Sequence, residues 1–223
     1  MHKNNKNDKI EETPIEDLMR EHGILNRILL IYEEFIRREN INHDMTFEGD
    51  AFYMINYAAQ IVRKFIEDHH EKTEEKYVFP YLLKMNKQTN LINELLEQHA
   101  LGRTITDKIL ELSNSVPTNT NKNIDIITNK KKLCVYLYAF VYMYRFHESR
   151  EDTVIFVEFR DNMTLKQYKR YGEIFEEEEE KKFGKHGIGK ILKIIEYIEK
   201  YFDIYDLNKI TTITVNKING QIK

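Results

Sequence analysis

Apolar residues recur every three or four positions along four long stretches of the chain, the spacing of α-helices that bury one face. The first stretch reads Ile15, Leu18, His22, Leu25, Leu29, Tyr32 and Ile36. Thr13-Pro14-Ile15-Glu16 supplies its start: an N-cap Thr, Pro at the first helical position and Glu completing a capping box. A second helix is predicted from about Phe47 towards Met85, with Ile55, Ala59, Val62, Ile66, His70, Glu74 and Tyr77 facing inward. Pro80 should kink or end it. A third covers about Thr89 to Ser113, with Ile92, Leu95, His99, Thr106 and Ile109 on one side. The fourth runs from about Ile124 to Phe159, and its stripe is Leu133, Leu137, Phe140, Tyr144, His147, Glu151 and Val154. Asn40 to Thr46 and the Ser/Thr/Asn/Pro-rich segment from Ser113 to Asn123 read as loops.

Beyond residue 160 the pattern changes. Thr164-Leu165-Lys166-Gln167 is a second capping box, opening a helix that ends near Gly184. Another helix follows Gly187 or Gly189 to about Phe202, carrying Ile191, Leu192, Ile195 and Ile198. The acids Glu176 to Glu180 read as a solvated face. The predicted fold is all-α: an up-down four-helix bundle over residues 13–160, preceded by a disordered tail at 1–12. A C-terminal extension, 161–223, adds a helical hairpin and a loose tail. No internal repeat is evident beyond the paired motif described next.

Four of these stripes contain a histidine where an aliphatic residue would suffice. His70 and Glu74 stand four apart, as do His147 and Glu151, and each pair leads at equal distance to an aliphatic-Phe step, Val78-Phe79 and Ile155-Phe156. Residues four apart share a helix face, so each pair aims an imidazole and a carboxylate at one point. With 37 acids among 223 residues, about one histidine in six has an acid four positions on, so one such pair means little. Two pairs with matched surroundings, plus His22 and His99, mean more. Buried without partners these groups would carry a heavy desolvation cost, which metal coordination offsets. His2, His43 and His186 fall on no core stripe and are expected at the surface, and His69 is expected to flank His70.

Composition narrows the classes. Gly (8) and Pro (3) are scarce and net charge is -3, against a dedicated nucleic-acid binder. Cys134 is the only cysteine, so intrachain disulfides and multi-thiolate metal sites are excluded, and it is expected to pack as a small hydrophobe. The most apolar run, Leu133 to Tyr144, is too short to span a bilayer, and the N-terminal residues lack a signal-peptide core. A soluble cytoplasmic protein, away from membranes, is expected.

Taken together, Glu21-His22, His69-His70-x-x-x-Glu74-Glu75 leading to Phe79-Pro80, Glu97-Gln98-His99, and His147-x-x-x-Glu151 leading to Phe156 resemble the hemerythrin-like proteins, the HHE cation-binding domain. The resemblance covers about Pro14 to Arg160, and the segment after the bundle is similar to an extension of some microbial members. It implies a non-haem centre of two iron ions, with His22, His70, His99 and His147 as terminal ligands and Glu74 and Glu151 as bridges. Glu71 and Glu148 point about 100° away from their neighbouring histidines and are expected in solvent or behind the ligands. Oxygen-carrying members have a further histidine one turn after the third-helix ligand. Arg103 stands there in this chain, and a guanidinium has no lone pair for a metal. One iron would then keep room for water, oxygen or another small molecule.

A ferritin-like site needs Glu-x-x-His on two helices, and only Glu67-x-x-His70 fits. The donor set suits iron, and also manganese or zinc. The expected function is a di-iron protein that binds or reacts with a small diatomic or peroxide ligand (oxygen, peroxide or nitric oxide) in an oxidative-stress response. The alternative is an iron- or oxygen-sensing module that signals through a protein partner, and homodimerisation is compatible with either. Tyr77 and Tyr144, one turn from ligands, are expected to fill the core, and Gly102 to leave space beside Arg103 or to be incidental.

Overall fold

The computed structural model describes residues 13–41, 50–114 and 123–221. The 1–12 tail, most of the 40–46 loop with His43, and most of the 113–123 loop lie outside the described residues, while residues 40 and 41 continue the first helix. Seven helices follow one another with no strand among the described residues. Helix α1 is Pro14–Ile41. Helix α2 spans 50–84, α3 is Thr89–Asn114, and α4 spans 123–161. Helices α5 (Leu165–Phe183), α6 (Gly187–Tyr201) and α7 (Leu207–Gln221) complete the chain.

Helices α1 and α3 each pack against both α2 and α4, which closes the four-helix bundle. Both capping boxes form: Glu16 N–H donates to Thr13 Oγ1 at 3.3 Å while Thr13 N–H donates to Glu16, and Thr164 with Gln167 does the same. Four residues turn α2 into α3, two of them (Asn86 and Gln88) with positive φ. Gly184, at φ 73°, ends α5 in a conformation that L side chains rarely adopt.

Two of the long helices are not α-helical throughout. In α2, Val62–His70 and Glu74–Val78 are π-helical, and in α4, Glu151–Ile155 is. Phe79 N–H donates to Glu74 O and Phe156 N–H to Glu151 O, each five residues back. One extra residue per turn moves the buried stripe by one. Regular α spacing predicts Tyr77 and Val154 inside; instead Val78 and Ile155 are buried and the other two are half-exposed. Pro80 neither ends nor interrupts the helix, which runs on to Lys84. Its missing N–H falls directly after the widened turn.

The core is divided. One apolar cluster joins Leu25, Leu29, Phe65, Ile109 and Phe140, and the other joins Leu18, Phe79, Leu82, Leu95, Phe156 and Phe159. The histidines and glutamates of the bundle lie between them. The hairpin covers both: Phe175 of α5 enters the second cluster, while Ile191, Ile195, Ile198 and Phe202 from α6 and its end enter the first. Arg27 clasps Glu199 through Nε at 2.8 Å and Nη2 at 2.5 Å, fixing α6 to α1.

Two expectations change here. The acidic run is not simply solvated, because Glu178 takes Lys76 and the Tyr77 hydroxyl at 2.8 and 2.9 Å, and Glu179 takes Arg20 at 3.1 Å. The loose tail is a helix, α7, although every side chain from Leu207 to Ile218 is exposed. No described helix is long and apolar enough to cross a membrane.

Candidate metal centre

All six sequence-predicted ligands meet in the layer between the two clusters. His22, His70, Glu74 and Glu151 offer donor atoms within 4.8 Å of one another, and His99 and His147 do so around the same Glu151. All six are buried. Glu74 stands between the groups, with Oε1 3.6 Å from His70 Nε2 and Oε2 3.5 Å from His99 Nε2. Glu151 Oε2 lies 3.3 Å from His22 Nε2 and 3.1 Å from His147 Nε2. Both carboxylates therefore span two pairs of imidazoles.

Each ring is held from behind. His70 Nδ1 meets Glu21 Oε2 at 2.8 Å and His147 Nδ1 meets Gln98 Oε1 at 2.9 Å. His22 Nδ1 meets Asp152 Oδ1 at 2.7 Å, and His99 Nδ1 meets Glu75 Oε1 at 3.2 Å. These oxygens accept, so each Nδ1 carries a hydrogen and each Nε2 faces inward. The partners were missed in the sequence because each neighbours a ligand: Glu21 and Gln98 precede His22 and His99, while Glu75 and Asp152 follow Glu74 and Glu151. One step around a helix points away from the ligand's own target and towards the adjacent helix.

These placements extend the paired motif into a two-fold correspondence between α1–α2 and α3–α4, which the sequence reading confined to the ligand pairs. His22 matches His99, and each is bonded by the residue that follows the other half's bridging glutamate. Phe156 stacks on His22 and Phe79 on His99, with centroids 5.3 and 5.7 Å apart and both interplanar angles 24°. One turn after each first ligand stand Asn26 and Arg103. Asn26 donates to Glu148 at 2.8 Å, and Arg103 donates to Glu71 at 2.6 Å and Glu75 at 2.5 Å.

Glu71 and Glu148 are thus buried behind the ligands rather than solvated. Burial pushes the Glu71 carboxyl up to about 8 and that of Glu148 up to about 7. Tyr144 donates to Glu71 Oε1 at 2.7 Å, whereas Tyr77 faces the hairpin. Gly102 is not incidental: a Cβ there would lie 2.1 Å from the Tyr144 hydroxyl. His69 is buried, and its Nε2 stands 3.0 Å from Glu21 Oε1, so Glu21 serves both histidines. His186 is exposed, as expected.

The charge states differ across the site, and a cation must compete with a proton at His22. Burial pushes His99 down to about 4 and holds His70 below its ordinary value, leaving both neutral. Burial also disfavours charge on His22, but Asp152 and Glu151 outweigh it and raise that imidazole to about 10. Burial and the neighbouring Glu151 charge lift Glu74 well above the carboxylate range. Glu151 is buried too, yet His147 and His22 hold it well below that range.

A metal pair fits these residues on three counts. His70 Nε2 and all four oxygens of Glu74 and Glu151 are buried without a hydrogen-bond partner. His99 Nε2 and His147 Nε2 face each other at 3.1 Å, a pair that either a shared proton or a metal bound to both would reconcile. That separation also suits adjacent corners of one coordination sphere with bonds of about 2.1 Å. Four nitrogens and two bridging carboxylates exceed what one tetrahedral ion takes and suit two.

Comparison with known proteins agrees with this geometry. Uncharacterized proteins of Mycobacterium tuberculosis (Rv1995) and Mycobacterium bovis (Mb2018) are each 39% identical to it over 170 residues, covering 75% of this chain and 62% of theirs. The chain thus spans about three-fifths of the length of these curated relatives. No solved structure matches it. The hemerythrin HHE cation binding domain matches residues 13–156, all six converging side chains included, and the chain belongs to that family.

Proposed function

We propose that this protein holds two iron ions between His22, His70, Glu74, His99, His147 and Glu151, and that the centre binds or reacts with a small oxidant such as oxygen, peroxide or nitric oxide. The observation that carries this reading is the convergence of four Nε2 atoms on two buried carboxylates whose oxygens have no protein donor. When bound, such a pair supplies one-electron redox chemistry and a place for a diatomic ligand. The chain's own residues do the rest. The four Nδ1 bonds lock the rings so that little reorganisation is needed on loading. Phe79 and Phe156 shield the His99 and His22 rings from water. Glu71, its carboxyl raised by burial to about 8, accepts the Tyr144 hydroxyl at Oε1 and would take up a proton there only as that hydroxyl turns away. Arg103, engaged with Glu71 and Glu75, supplies no ligand, which supports a coordination position left for the oxidant.

The test is metal content of anaerobically purified protein, with ultraviolet-visible spectra before and after air. Two irons per chain and new near-ultraviolet bands are expected. No iron, or a single spectroscopically silent zinc, overturns the reading.

One observation favours the sensing alternative. His69 shares Glu21 with His70 and packs edge-on against Phe183 of the hairpin, with centroids 5.2 Å apart. Metal loading at His70 would then bear on α5. Limited proteolysis should cut the hairpin faster in metal-free protein; equal rates would remove the alternative.

A further inference from the structure

The two halves of the centre match in position but differ in the groups behind the imidazoles. At the His22/His70 pair, both Nδ1 atoms meet carboxylates, Asp152 and Glu21. Among the described residues, neither carboxylate has a lysine or arginine partner; Glu21 is shared only with His69. At the His99/His147 pair, one partner is the neutral amide of Gln98. The other, Glu75, is also held by Arg103 and Lys72. Arg103 pairs with Glu71 as well, where the matching Asn26 brings no charge to Glu148. A carboxylate behind an imidazole makes it a better donor, and an uncompensated negative charge favours a nearby dication. A guanidinium bound to that carboxylate offsets its charge and opposes it.

From this asymmetry we infer that the two metals load in order, the first between His22 and His70 and the second, more weakly, between His99 and His147, so that the protein has a defined one-metal state. This rests on the two-metal reading above and adds the order. Gln98 and Arg103 make the second position the labile one. Outer partners of this kind shift metal affinity by about 10- to 100-fold, which sets the expected gap between the two steps.

The experiment titrates full-length metal-free protein with Co(II) under anaerobic conditions, followed by calorimetry and visible absorption. Anomalous diffraction is recorded on crystals grown at one equivalent. Two resolved steps, with the first ion beside His22 and His70, are expected. Glu21→Gln should weaken the first step, while Gln98→Glu should tighten the second and narrow the gap. The Gln98→Glu variant keeps the test independent of folding losses in the other, since circular dichroism can show both remain helical. Two equal sites, or a first ion beside His99 and His147, would overturn the order and leave the two-metal reading standing. Failure to bind a second ion at any concentration would overturn both.

Discussion

The ring of Phe156 lies nearly parallel to the imidazole of His22, 5.3 Å away, at the point where the apolar cluster ends and the polar layer begins. It is the structural reason for the aliphatic-Phe step after Glu151. Replacing it by Leu should cost about 1–2 kcal/mol of metal-free stability through lost packing. It should also speed removal of metal by a chelator, because water then reaches the His22 ring. Thermal melts and chelator competition measure the two effects separately; unchanged chelation kinetics would limit Phe156 to packing.

Glu151 spans both imidazole pairs, as Glu74 does, whereas His70 belongs to one of them. Glu151→Ala should therefore remove more metal per chain than His70→Ala, and His186→Ala at the exposed start of α6 should remove none. Elemental analysis of the three purified variants decides this, and equal metal content in all of them would sink the ligand assignment.

Gly102 leaves room for the Tyr144 hydroxyl, which would sit 2.1 Å from an added Cβ. Gly102→Ala should lose about 1–3 kcal/mol, as overpacked cores do, despite alanine's better helix propensity. In a chain of this size that is a fall in Tm of about 2–4 °C per kcal/mol. Adding Tyr144→Phe should recover part of it, since ring carbons would remain at 2.9 and 3.0 Å. A Gly102→Ala protein as stable as its parent would contradict the packing.

Burial raises the Cys134 thiol to about 11. At pH 8 only about one molecule in a thousand then carries the thiolate, the form that reacts. Alkylation of folded protein should accelerate about tenfold per pH unit up to about pH 11, whereas unfolded protein should level off near 9. Because the unfolded thiol gives up its proton first, this group subtracts stability as pH rises from about 9 towards 11. A plateau near pH 9 in the folded protein would show the thiol to be solvated.

Much of the bundle was legible because its signals are local. Thr13 and Thr164 announce helix starts through residues three positions on, and the four stripes follow 3.6-residue spacing as far as the bridging glutamates. The six ligands were legible because imidazoles and carboxylates within an apolar stripe need a partner. Their supports were not, since Glu21, Glu75, Gln98 and Asp152 act across helix boundaries that spacing along one helix cannot reveal. The π-helical turns leave no composition signal, so Tyr77 and Val154 were placed inside. Helix α7 escaped because its Thr, Ile, Val and Asn residues favour helices weakly and its apolar side chains meet nothing in the fold.

The widened turns after Glu74 and Glu151 separate two alignments that an ordinary helix would keep in one frame. The residues up to each glutamate aim ligands, and the turn after it brings both an acid and a phenylalanine to the opposite half's first histidine. Deleting one residue from 75–78 would close that turn as ordinary α-helix, keeping Phe79 one turn after Glu74 while removing one of the side chains that the widened turn accommodates. The widened turn after each bridging glutamate thus sets its own half's phenylalanine over the other half's histidine.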